Sequence, residues 1–354
     1  MQDSPYHIEL YEPDGTALGD LVGRARNIHV IQSRNNPEEI SFDIDVNEFE
    51  RYAELIHVES DRLIIPGHTE VRIKRKGGYL CGGKIVYMTP RISSSVQVYT
   101  VRAVGFLTLL MDRFTNKTDE PSRSFVGTPI GSIFSTLITE AQTGTNRDFG
   151  ITIGSIDTLA SIDKSFDAMR VSDAIKDGSE TYGFDFYFTP DKKFYLLAKL
   201  GKTRPDIVFD YPGNINEIPE APVDATNLKN RIYAQGSGSG TEGNKKAQSN
   251  DVNSQLNYVV REDQINHSDV QSIGELQAYG DAELAKWGNP VRTAVIVTDG
   301  SEQPAVTSWV VGDFLKTRTM YRSMNWFNGF MRADKRDIFY DERGVETVTI
   351  SLSR

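Results

Sequence analysis

The chain has 354 residues, of which 38% are hydrophobic and 25% are charged, and its formal net charge at pH 7 is −10. This length gives room for two to four domains with hydrophobic cores. No segment approaches the roughly 18 to 20 consecutive apolar residues of a membrane-spanning helix, and the N-terminus lacks the apolar core of a signal peptide, so we expect neither membrane insertion nor secretion. The acidic balance disfavours a protein that grips nucleic acid through its phosphates, because such binding needs clustered Lys and Arg.

The first third of the chain is rich in β-strand patterns. Between residues 40 and 46, the apolar side chains of Ile40, Phe42 and Ile44 alternate with polar ones, as in a strand with one buried face. Residues 71–74 alternate in the same way and lead into a Gly-Gly pair, which supplies the positive φ angles that a tight hairpin needs. The glycines predicted to shape this region are Gly77, Gly78, Gly82 and Gly83. We predict that residues 1–111 form a small antiparallel β-barrel.

The segment 112–226 is predicted to be an α+β module. Thr128 and Pro129 resemble a helix start, with a capping hydroxyl followed by proline at the first helical position, and apolar residues then recur at helical spacing over residues 130–138. A second helix is predicted over residues 172–183, because its final glycine suits the left-handed position after a helix. Residues 184–200 alternate like a β-hairpin.

Alternating glycines follow a strand that is predicted at residues 231–235. Gly236, Gly238 and Gly240 invite comparison with a phosphate-binding loop, but neither a Gly-Lys-Ser/Thr ending nor an apolar helix follows them. The polar, glycine-rich composition of residues 237–255 instead predicts a mobile loop.

A helix with clear end signals comes next. Ser272 and Glu275 have the spacing of a capping box, and Gly288 with the nearby Pro290 ends the helix. Later segments alternate again between apolar and polar residues, and these predicted strands are residues 293–298, 314–319 and 347–352. We predict a second β-barrel, made of residues 227–250 and 291–354, with a helical insertion at residues 251–290. The fold class is therefore β-rich α+β, with two small antiparallel β-barrels and inserted modules.

No residue pattern predicts catalysis, a cofactor or a metal. The five histidines lie far apart, without the spacing that places two imidazoles on one helix face. No nucleophile elbow occurs, and the acidic residues are too numerous to single out a carboxylate pair. The lone cysteine, Cys81, has glycine and apolar neighbours, which predicts a packed strand position rather than a reactive thiol.

Aromatic residues cluster near the predicted C-terminal strands. Trp309, Trp326 and Phe327 are candidates for a subunit contact, because aromatic side chains often dominate protein interfaces. The same region would also suit a sugar ligand or a barrel core, so three interpretations stay open.

The order of the N-terminal elements resembles the hub proteins of tailed-bacteriophage tail tips and baseplates. The elements concerned are a first strand with a glycine turn at residues 10–15, the alternating segment 40–46, the glycine hairpin at residues 76–83 and a closing strand into residues 107–110. The resemblance extends over nearly the whole chain. It implies two related barrels per subunit, so that a homotrimer presents six similar modules to a sixfold tail tube.

The resemblance also implies a role and a set of partners. The chain would be a minor tail protein of the virion, made in the host cytoplasm and located at the tail tip, where it closes the tail tube and forms part of the DNA passage. Its partners would be two further copies of itself, the distal tail ring, the tape measure and a fibre or spike. DNA would pass without sequence-specific binding, and an acidic lining would keep the phosphate backbone from binding, although the net charge taken alone favours a simple contribution to solubility. A structural protein, not an enzyme, is the expectation.

Three alternatives remain. A distal tail ring protein would assemble as a hexamer rather than a trimer. A receptor-binding or polysaccharide-binding tail protein would bind host surface material and depend on Trp326. A peptidoglycan hydrolase is the least favoured, because barrel and helix elements are expected to occupy the chain up to Arg354 and to leave no room for a catalytic domain of about 120 residues.

Overall fold

The structure is a computed structural model that describes residues 4–21, 23–76, 78–116, 122–145, 147–237, 245–268, 270, 272–300 and 304–354. Its strands are β1 (Tyr6–Tyr11), β2 (Ala17–Asp20), β3 (Ala25–Ser33), β4 (Glu39–Asp45), β5 (Glu70–Arg75), β6 (Gly78–Ile92), β7 (Gln97–Gly105), β8 (Arg123–Pro129), β9 (Thr152–Ile156), β10 (Ser161–Phe166), β11 (Asp185–Phe188), β12 (Lys193–Leu197), β13 (Thr203–Tyr211), β14 (Glu217–Glu220), β15 (Val223–Asp224), β16 (Arg231–Gln235), β17 (Lys246–Asn250), β18 (Glu262–Asn266), β19 (Val291–Asp299), β20 (Phe314–Thr319), β21 (Gly329–Tyr340) and β22 (Glu346–Ser353). Its α-helices are α1 (Val46–Leu55), α2 (Ser60–Leu63), α3 (Ile130–Ala141), α4 (Val171–Tyr182), α5 (Val252–Tyr258) and α6 (Ile273–Trp287), and short 3-10 helices lie at Phe106–Asp112, Val306–Ser308 and Arg322–Phe327. Within these described residues, no helix combines the length and the apolar character that crossing a membrane requires.

Both ends of the chain contribute to one large sheet. Fourteen of the described strands belong to it, and its main path runs β14-β19-β22-β21-β3-β4-β7-β6-β5-β1-β2, with β15 on β19 and with β20 joining β21 to β13. Every pairing in this sheet is antiparallel except that of β13 with β20. The N-terminal and C-terminal strands meet where β3 pairs with β21.

Burial alternates along the strands of the main sheet. β4 buries Ile40, Phe42 and Ile44, which confirms the period of two predicted there, and β22 buries Ile350 and Leu352 in the same way. All five side chains belong to a single hydrophobic core that spans the N-terminal and C-terminal strands. Each side chain of this size stabilises the fold by about 1.5–3 kcal/mol when it is fully buried.

The prediction of a β-rich α+β protein is confirmed by this architecture. The finer prediction of two closed barrels is not, because the path of paired strands in the described residues runs open from β14 to β2. In two separate barrels, the backbone N–H and C=O groups of β3 and of β21 would each be paired within their own barrel. Here the two strands pair with each other. The N-terminal and C-terminal strands therefore share one sheet and one core.

The α+β module has its own core under two small sheets. β8 pairs with β10, and β9, β12 and β11 form a second sheet. The predicted helices are confirmed as α3 and α4, and Gly183 follows α4 with φ 73°, as expected for a left-handed helix end. The predicted cap at Thr128 was wrong: Pro129 is the N-cap of α3, and the Thr128 hydroxyl donates a hydrogen bond to the Val126 carbonyl oxygen.

The segment after Leu107 also differs from its prediction. Residues 107–110 were expected to continue a closing strand, but they form part of the 3-10 helix Phe106–Asp112. Leu107, Leu109 and Leu110 are buried there in the core of the α+β module. A continuous apolar run does not by itself distinguish a buried strand from a buried helical turn, and here the segment crosses from the main sheet into the second core.

Strands β16, β17 and β18 form a small sheet of their own beneath α6. β16 pairs with β17 and with β18, and Leu276 and Tyr279 of α6 pack against Ala234 and Ala247. Residues 227–250 were predicted to form a second barrel together with residues 291–354, and among the described residues β16 and β17 pair within their own small sheet and not with the strands of residues 291–354. The Ser272 hydroxyl accepts a hydrogen bond from the Glu275 N–H, so the predicted start of α6 is confirmed.

The mobile loop predicted at residues 237–255 was wrong for residues 246–255. These residues form β17 and the start of α5, whose N-cap Asp251 accepts a hydrogen bond from the Ser254 N–H. Fully buried Asn230 holds this region, since its carbonyl accepts from the Asp251 N–H and its side-chain oxygen accepts from the Arg261 N–H. Residues 238–244 of the prediction lie outside the described residues.

β5 and β6 form the antiparallel pair that was predicted around the Gly-Gly hairpin, but Gly82 and Gly83, which were grouped with the turn glycines, lie inside a strand. Gly78 begins β6, Gly82 and Gly83 lie inside that strand, and Gly77 lies outside the described residues. A Cβ atom on Gly83 would lie 2.4 Å from the carbonyl oxygen of Val104 on the neighbouring strand β7, and one on Gly82 would lie 2.9 Å from the Phe106 ring. Gly83 therefore permits the close approach of β7 within the sheet, whereas Gly82 permits the close approach of Phe106 and Pro190, which lie outside the sheet.

We predict that Gly83→Ala lowers the free energy of unfolding by at least about 2 kcal/mol, because the new methyl group meets backbone atoms that cannot move without breaking the β6·β7 ladder. Urea denaturation followed by circular dichroism measures the change. Gly78→Ala in the same strand is the matched control, since its Cβ would meet nothing closer than Thr307 at 3.6 Å, and its effect should stay within about 0.5 kcal/mol. Equal effects of the two substitutions would contradict the close-approach argument.

Candidate functional site

The main sheet has a second face that is polar and open to solvent. The side chains of this polar face, which alternate with those of the core, include His29, Ile31, Ser33, Ser41, Asp43, Thr100, Arg102, Thr293, Val295, Val297, Lys335, Asp337, Phe339, Thr347, Thr349 and Ser351. All of these residues are half-buried or exposed. The polar face crosses the seam between the N-terminal and C-terminal strands without interruption.

The chemistry of the polar face is mixed. On β22 it presents the hydroxyl groups of Thr347 and Thr349, while the N-terminal strands add charges of both signs. Asp43 accepts hydrogen bonds from Asn27 Nδ2 at 2.9 Å and from Thr100 Oγ1 at 2.7 Å, so this carboxylate is already engaged within the sheet. Alternating signs and hydroxyl groups make a hydrated surface without the concentrated positive charge that a tight phosphate contact needs.

An ion pair marks the seam on this face. His29 Nε2 of β3 lies 2.7 Å from Asp337 Oδ1 of β21, and the His29 ring meets the Phe339 ring edge-on with centroids 5.8 Å apart. The hydrogen bond to the Asp337 carboxylate raises the pKa of His29 above its ordinary value of 6.5. The stabilisation from this pair is therefore full below about pH 6.5 and is lost as the pH rises through the folded-state pKa.

Asp185 ties the α+β module to the main sheet. Its carboxylate, which is 3% exposed, accepts hydrogen bonds from Arg34 Nη1 at 2.8 Å, from Asn35 Nδ2 at 3.0 Å and from the Leu200 N–H at 2.7 Å, and Arg332 donates another. Burial alone would raise the pKa of Asp185, but the Leu200 N–H and the two guanidinium groups outweigh it and hold the pKa below its ordinary value. One carboxylate thus joins β11 to the β3–β4 turn and to β21.

Two further buried ion pairs join distant parts of the chain. Arg75 at the end of β5 donates from Nε to Glu346 Oε1 of β22 at 2.8 Å, and the hydroxyl group of Tyr6 donates to the same carboxylate. Lys192 of the α+β module donates to Glu70 Oε1 of β5 at 2.9 Å, and both side chains are at most 5% exposed. These pairs fix how the N-terminal strands, the C-terminal strands and the module sit on one another.

A cavity of about 290 Å³ lies where these three parts meet. Its lining includes Gln32, Arg34, Asn35, Glu38, Leu80, Leu107, Phe186, Phe188, Pro190, Leu200, Trp309, Val310 and Arg336. Buried Arg336 donates to Gln32 Oε1 at 2.6 Å and to the carbonyl oxygens of Val306 and Trp309, and no described carboxylate lies within ion-pair distance of it. Burial lowers the pKa of Arg336 to about 10 and raises the pKa of Glu38 to about 7.

The three aromatic residues predicted for a subunit contact have separate environments. Trp309 is 2% exposed and Phe327 is 0% exposed, and both belong to the core of the main sheet, so they pack in a core, although not in that of a closed barrel, and they offer almost no surface to another subunit. Trp326 is partly buried against the same core, and its ring meets that of Phe327 edge-on. A subunit contact at Trp326 stays a prediction.

Reactive side chains do not converge anywhere in the described part of the chain. Cys81 is 2% exposed, and burial raises the pKa of its thiol, so the packed strand position predicted for it is confirmed. No group of three or more His, Cys, Asp or Glu residues that could hold a metal ion occurs among the described residues. The buried ion pairs carried no sequence signal, because their partners are far apart in the chain.

The fold is shared with tail proteins of bacteriophages and prophages. The 43 kDa tail protein of prophage MuSo2 from Shewanella oneidensis superposes with a TM-score of 0.68 at 12% identity, over 98% of this chain and 98% of that one. A tail protein from Neisseria meningitidis MC58 gives 0.68 at 13% identity, over 99% and 96% of the two chains. The prophage tail protein gp18 from Listeria monocytogenes EGD-e gives 0.65 at 12% identity, over 98% and 94%.

These likenesses establish the fold. No family model matches the sequence, and no curated protein does either. The resemblance to phage tail proteins that the order of elements predicted is thereby confirmed at the level of the fold, over nearly the whole length of the chain.

We predict that Asp185→Asn lowers the free energy of unfolding by about 3–5 kcal/mol at pH 7, because it leaves the guanidinium group of Arg332, which is 13% exposed, without its counter-charge and removes one of the two carboxylate partners of Arg34. The stabilisation by Asp185 is full above about pH 3.9 and is lost as the pH falls through its lowered folded-state pKa. Urea denaturation gives both quantities. Glu48→Gln removes an exposed ion pair with Arg51 and is the control, with an effect within about 1 kcal/mol. A loss no larger than that of the control would show that Asp185 does not hold the module.

The raised pKa of Glu38 predicts that the stability contributed by this residue changes with pH in the direction opposite to that of Asp185. Because its folded-state pKa is raised from 4.5 to about 7, the folded protein binds more protons than the unfolded chain in this interval, so stability falls as the pH rises through it. Glu38→Gln should raise the free energy of unfolding by about 1–3 kcal/mol at pH 8 relative to its effect at pH 4. The exposed neighbouring substitution Glu39→Gln is the control. An identical pH profile for wild type and Glu38→Gln would contradict the prediction.

Proposed function

We propose that the chain is a structural hub of a bacteriophage tail tip or baseplate, a homotrimer that closes the end of the tail tube and forms part of the DNA passage. The fold that it shares with phage tail proteins supports a structural role in a virion tail. The observation that carries the hub proposal is the run of eight antiparallel strands β6-β7-β4-β3-β21-β22-β19-β14.

This run divides at the β3·β21 seam into two sets of four. Each set is antiparallel throughout, and each is built around a hairpin, β3 with β4 on one side and β21 with β22 on the other. In the proposal each set belongs to one barrel-like module, the first in residues 1–111 and the second in the C-terminal strands of residues 291–354. Three copies then present six similar modules, which is the number that a sixfold tube requires.

The polar face supplies the wall of the passage in this proposal. Its mixed charges and hydroxyl groups keep it hydrated, and engaged carboxylates such as Asp43 hold negative charge in place along it. Phosphate would find no concentrated cluster of basic residues to bind, so DNA would move past without a sequence-specific contact. We propose that the chain has a structural role without catalysis. Its proposed partners are two further copies of itself, the distal tail ring, the tape measure and a fibre or spike.

Native mass spectrometry and electron microscopy of the purified chain test the proposal. We expect a particle of three times the 39.6 kDa chain mass, with a threefold outline and a central channel. A hexamer would favour a distal tail ring protein instead. A monomer at every protein concentration would contradict the hub proposal.

A further inference from the structure

The eight-stranded run has two free ends. β5 covers β6 only as far as Lys84, and the last backbone hydrogen bonds on that side join Ile85 to residues 67 and 69, so residues 86–92 have no strand beside them on that edge among the described residues. At the opposite end, β14 and β15 pair with β19 and with no other strand in the part of the chain that the structure describes. We call residues 86–92 the β6 edge and residues 217–224 the acidic edge. Unpaired strand edges are templates for pairing with another chain.

The β6 edge is apolar and basic. Val86, Tyr87 and Ile92 are 47%, 46% and 69% exposed, and exposed apolar side chains grouped in this way are typical of an interaction surface. Arg91 is exposed, and the whole of β6 contains no acidic residue. The neighbouring strand adds Arg102, which pairs in register with Tyr87 and places its guanidinium group over that ring.

The acidic edge has the complementary character. It presents Glu217, Glu220 and Asp224, and no Lys or Arg occurs between residues 212 and 228. Val223 is 51% exposed beside these carboxylates, and Ile218 is only partly buried. Charges of opposite sign and exposed apolar side chains thus stand at opposite ends of one antiparallel run.

We propose that the β6 edge of one copy pairs with the acidic edge of the next copy, so that the run continues from subunit to subunit. The contact is heterologous, since two different surfaces meet, and such a contact closes into a ring when the rotation between copies allows it. Strand addition supplies backbone hydrogen bonds, and the opposite charges select the correct partner and orientation. This inference rests on the proposed hub function and names the surfaces that hold the hub together.

Prolines limit how long the new ladder can be. Pro90 on the β6 edge and Pro219 and Pro222 on the acidic edge lack the N–H group that a ladder needs. Such interruptions protect an edge from pairing with unrelated strands. The specificity of the contact therefore comes from its side chains, chiefly Arg91 against the carboxylates.

Cysteine cross-linking in the full chain tests the geometry. The native Cys81 is 2% exposed, so it contributes little background. The double variant Ile92→Cys with Val223→Cys should give covalent dimers and trimers under mild oxidation on non-reducing gels. Either single variant should remain a monomer on the same gels. Cross-linked oligomers from a single variant, or no cross-linked oligomers from the double variant, would overturn the proposed pairing.

Charge reversal tests the energetics. Arg91→Glu and Glu220→Arg should each weaken trimer formation at least tenfold, measured by analytical ultracentrifugation, and the chain carrying both should recover most of the loss. Arg51→Glu on α1, where the side chain is 73% exposed, is the control and should leave the trimer unchanged. Melting curves by circular dichroism confirm that each variant is folded.

The two levels of inference fail in different ways. A ring-shaped trimer that survives both reversals and gives no cross-link would overturn the edge pairing and leave the hub proposal standing. Wild-type protein that stays monomeric at all concentrations would overturn both.

Discussion

Strands β3 and β21 lie at opposite ends of the chain, and their pairing brings residues such as His29 and Asp337, 308 positions apart, into contact. Closing so long a loop costs conformational entropy that a single ladder does not recover. The shared hydrophobic core recovers it, because side chains from both halves are buried together only when the seam is formed. The other strands of the main sheet follow on either side of this β3·β21 pair.

Buried charges surround the seam and set its register. Arg336 reaches from β21 to Gln32 of β3, and Asp185 accepts from Arg34 beside β3 and from Arg332 of β21. A buried ion pair adds little net stability compared with an apolar core, but it is strongly destabilising when one partner is displaced. Slipping β21 by one residue would send these charges to the wrong face, so the alternative registers are excluded.

The two faces of the main sheet have different roles. The core face holds the chain together, while the polar face carries hydroxyl groups, mixed charges and the His29–Asp337 pair. A surface of this kind spans the molecule only because the strands of both halves are joined. The proposed passage wall and the proposed subunit edges are thus consequences of one pairing.

The sequence by itself determined the local elements. The alternation at Ile40, Phe42 and Ile44 predicted β4, the Ser272 cap predicted the start of α6, and Gly183 predicted the end of α4, because periodicity and end signals depend only on neighbours in the chain. Only the tertiary structure decided the joining of the two halves, the burial of Trp309 and Phe327, and the ordering of residues 246–255 around Asn230. These features depend on contacts between residues far apart in sequence. β21 shows the reason most clearly. From the sequence alone an arginine at position 336 is expected on the surface, but the fold brings Gln32 and two carbonyl groups to Arg336, and these partners allow it to be buried.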